Sequence, residues 1–296
     1  MVAIDTRPST DVPAAAPASP SRARRAVRFL IRRPGLVLSI LFVAAVLLAA
    51  FVPSLFTSRD PLVGVPAEKL QAPSAEHLFG TDQTGRDLFA RVIHGANLSL
   101  RATVIAVAVA LVVGSLIGLL AGFVGGWLDD IAMRIVDVLL AIPQLLLTLA
   151  LVTVLGFGTT NVAIAVGLST VANFARLMRA EVLRVRTATY VEAARATGAR
   201  WYSILRRHVL PNAMGPIGAY AALDFGLAIL AVSTLSFLGF GAEPPTPEWG
   251  SLVSTGRDYL ATAWWLTTLP GLTVAATVLA TNRISRALGG GGEEYR

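Results

Sequence analysis

YVEAARATGARWYSILRRHVLPNAMGPI, residues 190–217, is a polar, basic segment in a chain that is otherwise mostly apolar. Val191-Glu192-Ala193-Ala194-Arg195-Ala196 consists largely of strong helix formers, and Gly198 falls where a helix needs a left-handed closing residue. The spacing predicts a short helix that ends near Gly198. A second helix is predicted from about Trp201, with Ile204, Leu205, His208 and Val209 at three-to-four spacing. Pro211 is expected to stop it, and Pro216 to open the next apolar run.

Working outward, 54% hydrophobic and only 15% charged residues over 296 positions lie outside the range of soluble domains, as does a mean hydropathy of +0.66. The composition is that of a polytopic membrane protein. Cysteine is absent, which excludes disulfides, thiolate catalysis and Cys-ligated metal. A net charge of +7 would suit nucleic acid, but the arginines cluster at the flanks of apolar runs, so membrane lipid and not nucleic acid is the expected surrounding.

Residues 1–34 begin with an Ala-, Pro- and Ser-rich stretch that reads as a disordered tail and end in the cluster Arg22, Arg24, Arg25, Arg28, Arg32 and Arg33. The run 35–56 is long enough to span a bilayer, and bulky residues after it argue against signal-peptide cleavage. Residues 57–97 form a polar loop that closes with HLFGTDQTGRDLFARVIHGANLSL. Turn chemistry accounts for it: Asp82 or Thr84 as a cap, Gly85 in a tight turn, Asp87 and Arg91 as an i,i+4 pair.

Five further runs fall within 98–288. Residues 98–123 carry Gly114, Gly118 and Gly122 at the spacing that lets helices approach closely in lipid. Residues 131–155 are interrupted by Pro143, 160–174 are short, and 213–238 lead into the Pro-rich LSFLGFGAEPPTPEWG. Trp264 and Trp265 read as an interfacial aromatic belt before the last span, and 289–296 form a tail. The expected fold class is therefore an all-α membrane protein with six transmembrane helices and both termini cytoplasmic. That topology puts the N-terminal arginines, Arg134, the loop 176–212 and the C-terminal arginines inside. Asp60, Glu68, Glu76, Asp82, Asp87, Glu243, Glu248 and Asp258 fall outside.

No GxxxxGK[ST] loop is present and the only lysine is Lys69, so the chain is not its own ATPase. His77, His94 and His208 are scattered without an HExxH pattern, and no Gly-x-Ser-x-Gly elbow occurs; no catalytic residue and no metal ligand is assigned. Two charged features lie near or within spans. Arg134 can pair with Asp130 and Asp137 along one helix. Asp224, well inside the 213–238 run, lines a pathway or is a buried structural acid.

Glu192-Ala193-Ala194, Gly198 six residues after the glutamate and Leu210-Pro211 a dozen further on together resemble the EAA loop of ABC importer permeases. The preceding RLMRAEVLRVRTATYVEAA is similar to the lead-in of the dipeptide, oligopeptide and nickel branch, and residues 80–87 resemble its FGTDxxGRD signature. The resemblance, over roughly residues 22–287, implies a type I importer transmembrane domain. It implies a permease subunit for di- or oligopeptides in the cytoplasmic membrane, with no cofactor of its own. Its partners would be a second permease, two ATPase subunits that use ATP and Mg, and an extracytoplasmic substrate-binding protein. The loop would dock its first helix on an ATPase and pass nucleotide-driven closure to the spans. The resemblance has departures: Asn282-Arg283-Ile284-Ser285-Arg286-Ala287-Leu288 replaces the usual NLLGDGLRDALDP-like end, and Ala231-Val232 stands where many relatives carry an acid. A non-ABC carrier or channel and an integral membrane enzyme are the alternatives; a carrier would show interrupted helices in matching repeats, which this sequence lacks.

Overall fold

The computed structural model describes residues 33–289, all of whose regular elements are helical. Helix α1 covers Pro34–Phe51, α2 Leu88–Val124, α3 Trp127–Ala141 and α4 Gln144–Leu155. Then come α5 (Thr159–Arg186), α6 (Thr189–Ala196), α7 (Trp201–Phe237), α8 (Trp249–Gly256) and α9 (Trp265–Gly289). Four of these (α1, α2, α5, α7) are long and apolar enough to cross a membrane, and the bent α3–α4 pair makes up to five. The arginine-rich segment 1–32 and the tail 290–296 lie outside the described residues.

The centre of the bundle is α2 against α5. A Cβ on Gly114 would lie 2.5 Å from Phe174 Cβ, one on Gly118 would collide with the Ala175 carbonyl, and one on Gly122 would lie 3.0 Å from Val182 Cβ. The three glycines thus let two helices approach to backbone contact, as their spacing predicts. The contacting positions advance together along the two helices, from 114 and 174 to 122 and 182, so α2 and α5 run parallel and finish at the same end. Asn97 Nδ2 donates to the Ala50 carbonyl, which sets α1 antiparallel to α2. Trp201 lies 6.4 Å from Phe123 between ring centroids, so α7 begins where α2 finishes. One end of the bundle therefore carries Arg176, Arg179, Arg184, Arg186, Arg195, Arg200, Arg206 and Arg207. The other carries the acidic loops.

Several boundaries differ from the sequence expectation. Helix α1 stops at Phe51, before Pro53. Helix α2 starts at Leu88, ten residues before the expected apolar run, because Asp87 is its cap and accepts from the Ala90 amide at 2.8 Å. Asp82 instead organises the preceding turn, accepting from the amides of Thr84 and Arg86, while Gly85 takes φ +78°. Arg91 turns toward Asp82, 3.7 Å away, and does not pair with Asp87. The expected short fourth run is 28 residues long, because α5 continues helical to Arg186. Residues 176–186 of the expected loop are therefore its last three turns.

Prolines behave in two ways. Ile142, before Pro143, is extended, and α3 and α4 meet there at 100°. Pro211 does not stop its helix. Residues Leu205–Val209 widen into a π-helical turn, with the Leu210 amide donating to the Leu205 carbonyl. The widened turn accommodates a ring that would otherwise strike the carbonyl four residues back. The Pro-rich loop after α7 holds the unforeseen α8, whose cap is Glu248. Trp265 is 6% exposed, with Nε1 donating to the Thr81 carbonyl at 3.3 Å; only Trp264, 52% exposed, suits a belt position.

Candidate functional site: the α6–α7 corner

Helices α6 and α7 meet in a compact corner at the arginine-rich end. The Gly198 amide donates to the Arg195 carbonyl and the Ala199 amide to the Ala194 carbonyl, both at 3.0 Å, with Gly198 at φ +81°. This is a Schellman closure, in which the left-handed residue satisfies carbonyls that the helix end leaves open. Nothing lies within 4 Å of the position a Cβ would take on Gly198, so glycine is required by the backbone angle alone.

The corner is two-faced. Val191, Ile204 and Val209 are buried against Phe174, Met178 and Val182 of α5, with Ala194 and Leu210 partly buried beside them. Glu192, Ala193, Arg195, Ala196, Thr197, Gly198 and Pro211 are exposed. Trp201 and Tyr202 are 66% and 49% exposed, a large aromatic area for a solvent-facing surface. The Glu192 carboxylate has no hydrogen-bond or ion-pair partner among the described residues. Glu192, Ala193 and Gly198 thus share one outward surface with the aromatic pair, whereas Ala194 and Leu210 anchor the corner to the bundle.

Polar ties connect this corner to the spans. Arg186 Nη1 donates to the Gly122 and Phe123 carbonyls, each at 3.2 Å, joining the end of α5 to the end of α2. Arg179 holds Asp129 of α3 through two bonds at 2.5 and 2.6 Å, and Arg176 holds Asp137 at 2.5 Å. The expected pairing of Arg134 with Asp130 and Asp137 is not formed. Asp137 reaches across to α5, and Arg134 is exposed with no ion-pair partner among the described residues. Sequence spacing finds neighbours along a helix and gives no sign of a bridge 50 residues away.

Asp224 is 4% exposed and accepts no hydrogen bond among the described residues. Its carboxylate lies behind the chain's own surface, in α7, so a pathway role would require a rearrangement that exposes it. At the opposite end Glu248 is fully buried and accepts from the amides of Gly250 and Ser251, each at 3.1 Å, and from Ser99 at 3.3 Å. Burial pushes its pKa up, against these bonds. Glu68, Glu76 and His77 place possible ligand atoms within 4.8 Å of one another. Arg59 is already inserted there, 2.6 Å from His77 Nδ1 and 3.8 Å from Glu76, so a cationic side chain already pairs with this group.

The fold and this corner define a class: an integral membrane protein of packed helices carrying a rigid, exposed helix pair at one end. Residues 114–290 match the family described as binding-protein-dependent transport system inner membrane component, and the chain belongs to that family. It is 39% identical over 249 residues to the dipeptide transport system permease protein DppC of Alkalihalophilus pseudofirmus, covering 84% of this chain and 82% of the relative. It is 42% identical to the di/tripeptide permease DppC of Pseudomonas aeruginosa, over 86% and 84% of the two chains. It is 44% identical to the glutathione permease GsiD of an Escherichia coli strain, over 73% and 71%. A structure of the MetNI methionine ABC transporter in an inward-facing conformation superposes with a TM-score of 0.52 at 19% identity, covering 67% of this chain and 96% of that one. That likeness speaks for the fold.

Proposed function

We propose that this chain is the permease subunit of an ATP-driven importer and forms half of a translocation pathway for di- or oligopeptides across the cytoplasmic membrane. The observation that carries the reading is the α6–α7 corner. It is a short helix fixed at one end by Gly198 and underneath by Val191, presenting an unpaired Glu192 beside Ala193 and two exposed aromatics. Such a surface suits a groove on a soluble partner, here one of two ATP-binding subunits that hydrolyse ATP with Mg. A second permease completes the pathway, and a substrate-binding protein delivers peptide from outside. Its similarity to permeases of dipeptide, di/tripeptide and glutathione transport systems supports a peptide-like substrate.

The arginine-rich end faces the cytoplasm in this proposal, by the positive-inside rule, and both termini lie there. Helix α9 supplies the sixth span. Its threonines weaken its apolar signal, yet Thr273, Thr277 and Thr281 each donate to the carbonyl four residues back, at 2.9, 2.7 and 2.8 Å, so their hydroxyls are satisfied within the helix. Movement of α6 would be passed to α5 through Val191 and to α2 and α3 through Arg186 and Arg179. The test is a pull-down of the tagged chain, followed by ATP hydrolysis of the reconstituted complex with candidate peptides. Failure to retain an ATP-binding subunit, or hydrolysis indifferent to every peptide supplied with its binding protein, would contradict the proposal.

A further inference from the structure

Between α1 and α9 lies an open groove of about 650 Å³, with a smaller one of about 360 Å³ adjoining it; Arg283 and Arg286 line both. The walls differ along their length. At one end stand the two guanidinium groups, with Asn282 beside them; away from it the lining is Leu38, Phe42, Ala276 and Leu279. Among the described residues, no acidic side chain lines either groove. Arg283 and Arg286 make no ion pair or hydrogen bond among the described residues. They are three residues apart on α9 and so share a face.

The N-terminal turn of α1 adds to the charge. Among the described residues it has no side-chain cap, and the positive end of its dipole lies at the same place. Gly35 in this turn makes room for the arginine: a Cβ there would lie 2.5 Å from Arg283 Cζ. From Arg283 to Ala276 the apolar wall runs seven residues, or about 10 Å along the helix. A charged mouth followed by an apolar channel has the profile of a phospholipid with its acyl chain laid along the helices.

We propose that this groove is a binding site for one anionic phospholipid, whose phosphodiester is held by Arg283 and Arg286 and whose acyl chain lies between α1 and α9. The planar guanidinium fork matches phosphate oxygens, and basic grooves between helices at the cytoplasmic face take such headgroups. The bound lipid bridges the N-terminal helix to the last one. This site is independent of the α6–α7 corner and of the transported substrate.

The test uses the complex purified with its co-purifying subunits, delipidated in detergent and titrated with dioleoyl-phosphatidylglycerol or dioleoyl-phosphatidylcholine, with bound lipid counted by native mass spectrometry. The wild type should bind phosphatidylglycerol more tightly than phosphatidylcholine, and millimolar inorganic phosphate should not displace it. R283Q/R286Q should weaken phosphatidylglycerol about 30-fold, from roughly 1 kcal/mol per arginine, and leave phosphatidylcholine unchanged. Gly35→Leu keeps both charges but fills the mouth, and should weaken it as well; this variant carries the test if the double substitution fails to assemble. Equal affinity for the two lipids, displacement by phosphate, or unchanged phosphatidylglycerol affinity in the variants would overturn the proposal. So would a cross-link from Leu279→Cys to another subunit in the wild-type background, which would show protein in the groove.

Discussion

Replacing Gly198 with valine alters a backbone preference and removes no side-chain contact. The residue sits at φ +81°, with open space where its Cβ would be, so no neighbour is struck. The cost is that of holding an L-residue in the left-handed region, about 1–2 kcal/mol and more for a β-branched side chain. Helix α6 has eight residues and is marginal on its own, so this penalty falls on the Schellman closure and not on the bundle. A shift of that size lowers the closed-to-open ratio about 5- to 30-fold. Membrane insertion and thermal stability of the spans should be preserved, while peptide-stimulated ATP hydrolysis and uptake in proteoliposomes fall by a similar factor. Gly114→Val is the contrasting control. Its Cβ meets Phe174 and the Val171 carbonyl at 2.5 and 2.6 Å, so it should separate α2 from α5 and lower folded yield. Normal coupling by Gly198→Val at normal abundance would refute the reasoning.

Arg179→Ala should lower the melting temperature by a few degrees, since it removes two charge-assisted bonds worth about 1–3 kcal/mol, while Arg134→Ala should melt like the wild type; the reverse order would contradict the α3–α5 bridge. Asp224→Asn keeps shape and removes charge, so a pathway role requires uptake of free-amino peptides to fall more than that of N-acetylated peptides. Equal loss for both, or failure to assemble, would mark the acid as structural. Burial pushes the Asp82 carboxyl up, but hydrogen bonds from Thr84 and Arg86 outweigh it and hold its pKa below the ordinary 3.8. Its ionised form is therefore favoured by folding. The loop stability it provides is fully present above pH 3.8 and drains away as pH falls below that value toward the depressed one. Hydrogen exchange of the Thr84 and Arg86 amides across that interval should show this loss, and Asp82→Asn should remove the pH dependence.

What could be read from the sequence was local chemistry. Gly198 announces its left-handed closure because only the backbone angle matters there, and Gly114, Gly118 and Gly122 announce close helix packing. Pro143 announces a break, though its 100° size is set by tertiary packing. Features that depend on distant partners were not legible. Residues 88–97 break the apolar run with Arg91, His94 and Asn97, yet Leu88 and Val92 are buried in one cluster with Val46 of α1 and Trp249 of α8, so the helix extends outward. Residues 176–186 look like a loop because of their arginines, but Asp137, Asp129, Glu181 and the α2 carbonyls receive those charges and the helix persists. Pro211 looks like a stop because a π-helical turn leaves no mark in composition. Of the residues proposed for coupling, Gly198 could be placed from its own conformation. The outward positions of Glu192 and Ala193 followed only once Val191 and Ala194 were seen to face the bundle.

The chain has no cysteine, so a single introduced thiol is a unique reporter. The most direct measurement is cross-linking of Ala193→Cys, in α6, with a short maleimide–benzophenone reagent, whose photoactivated ketone inserts into C–H bonds of any adjacent protein, in membranes that contain the assembled transporter. Thr262→Cys, exposed at the opposite end, serves as the control. The account predicts an adduct between Ala193→Cys and an ATP-binding subunit, and none from Thr262→Cys. An ATP-binding subunit captured from Thr262→Cys, or none captured from a fully reactive Ala193→Cys, would contradict it.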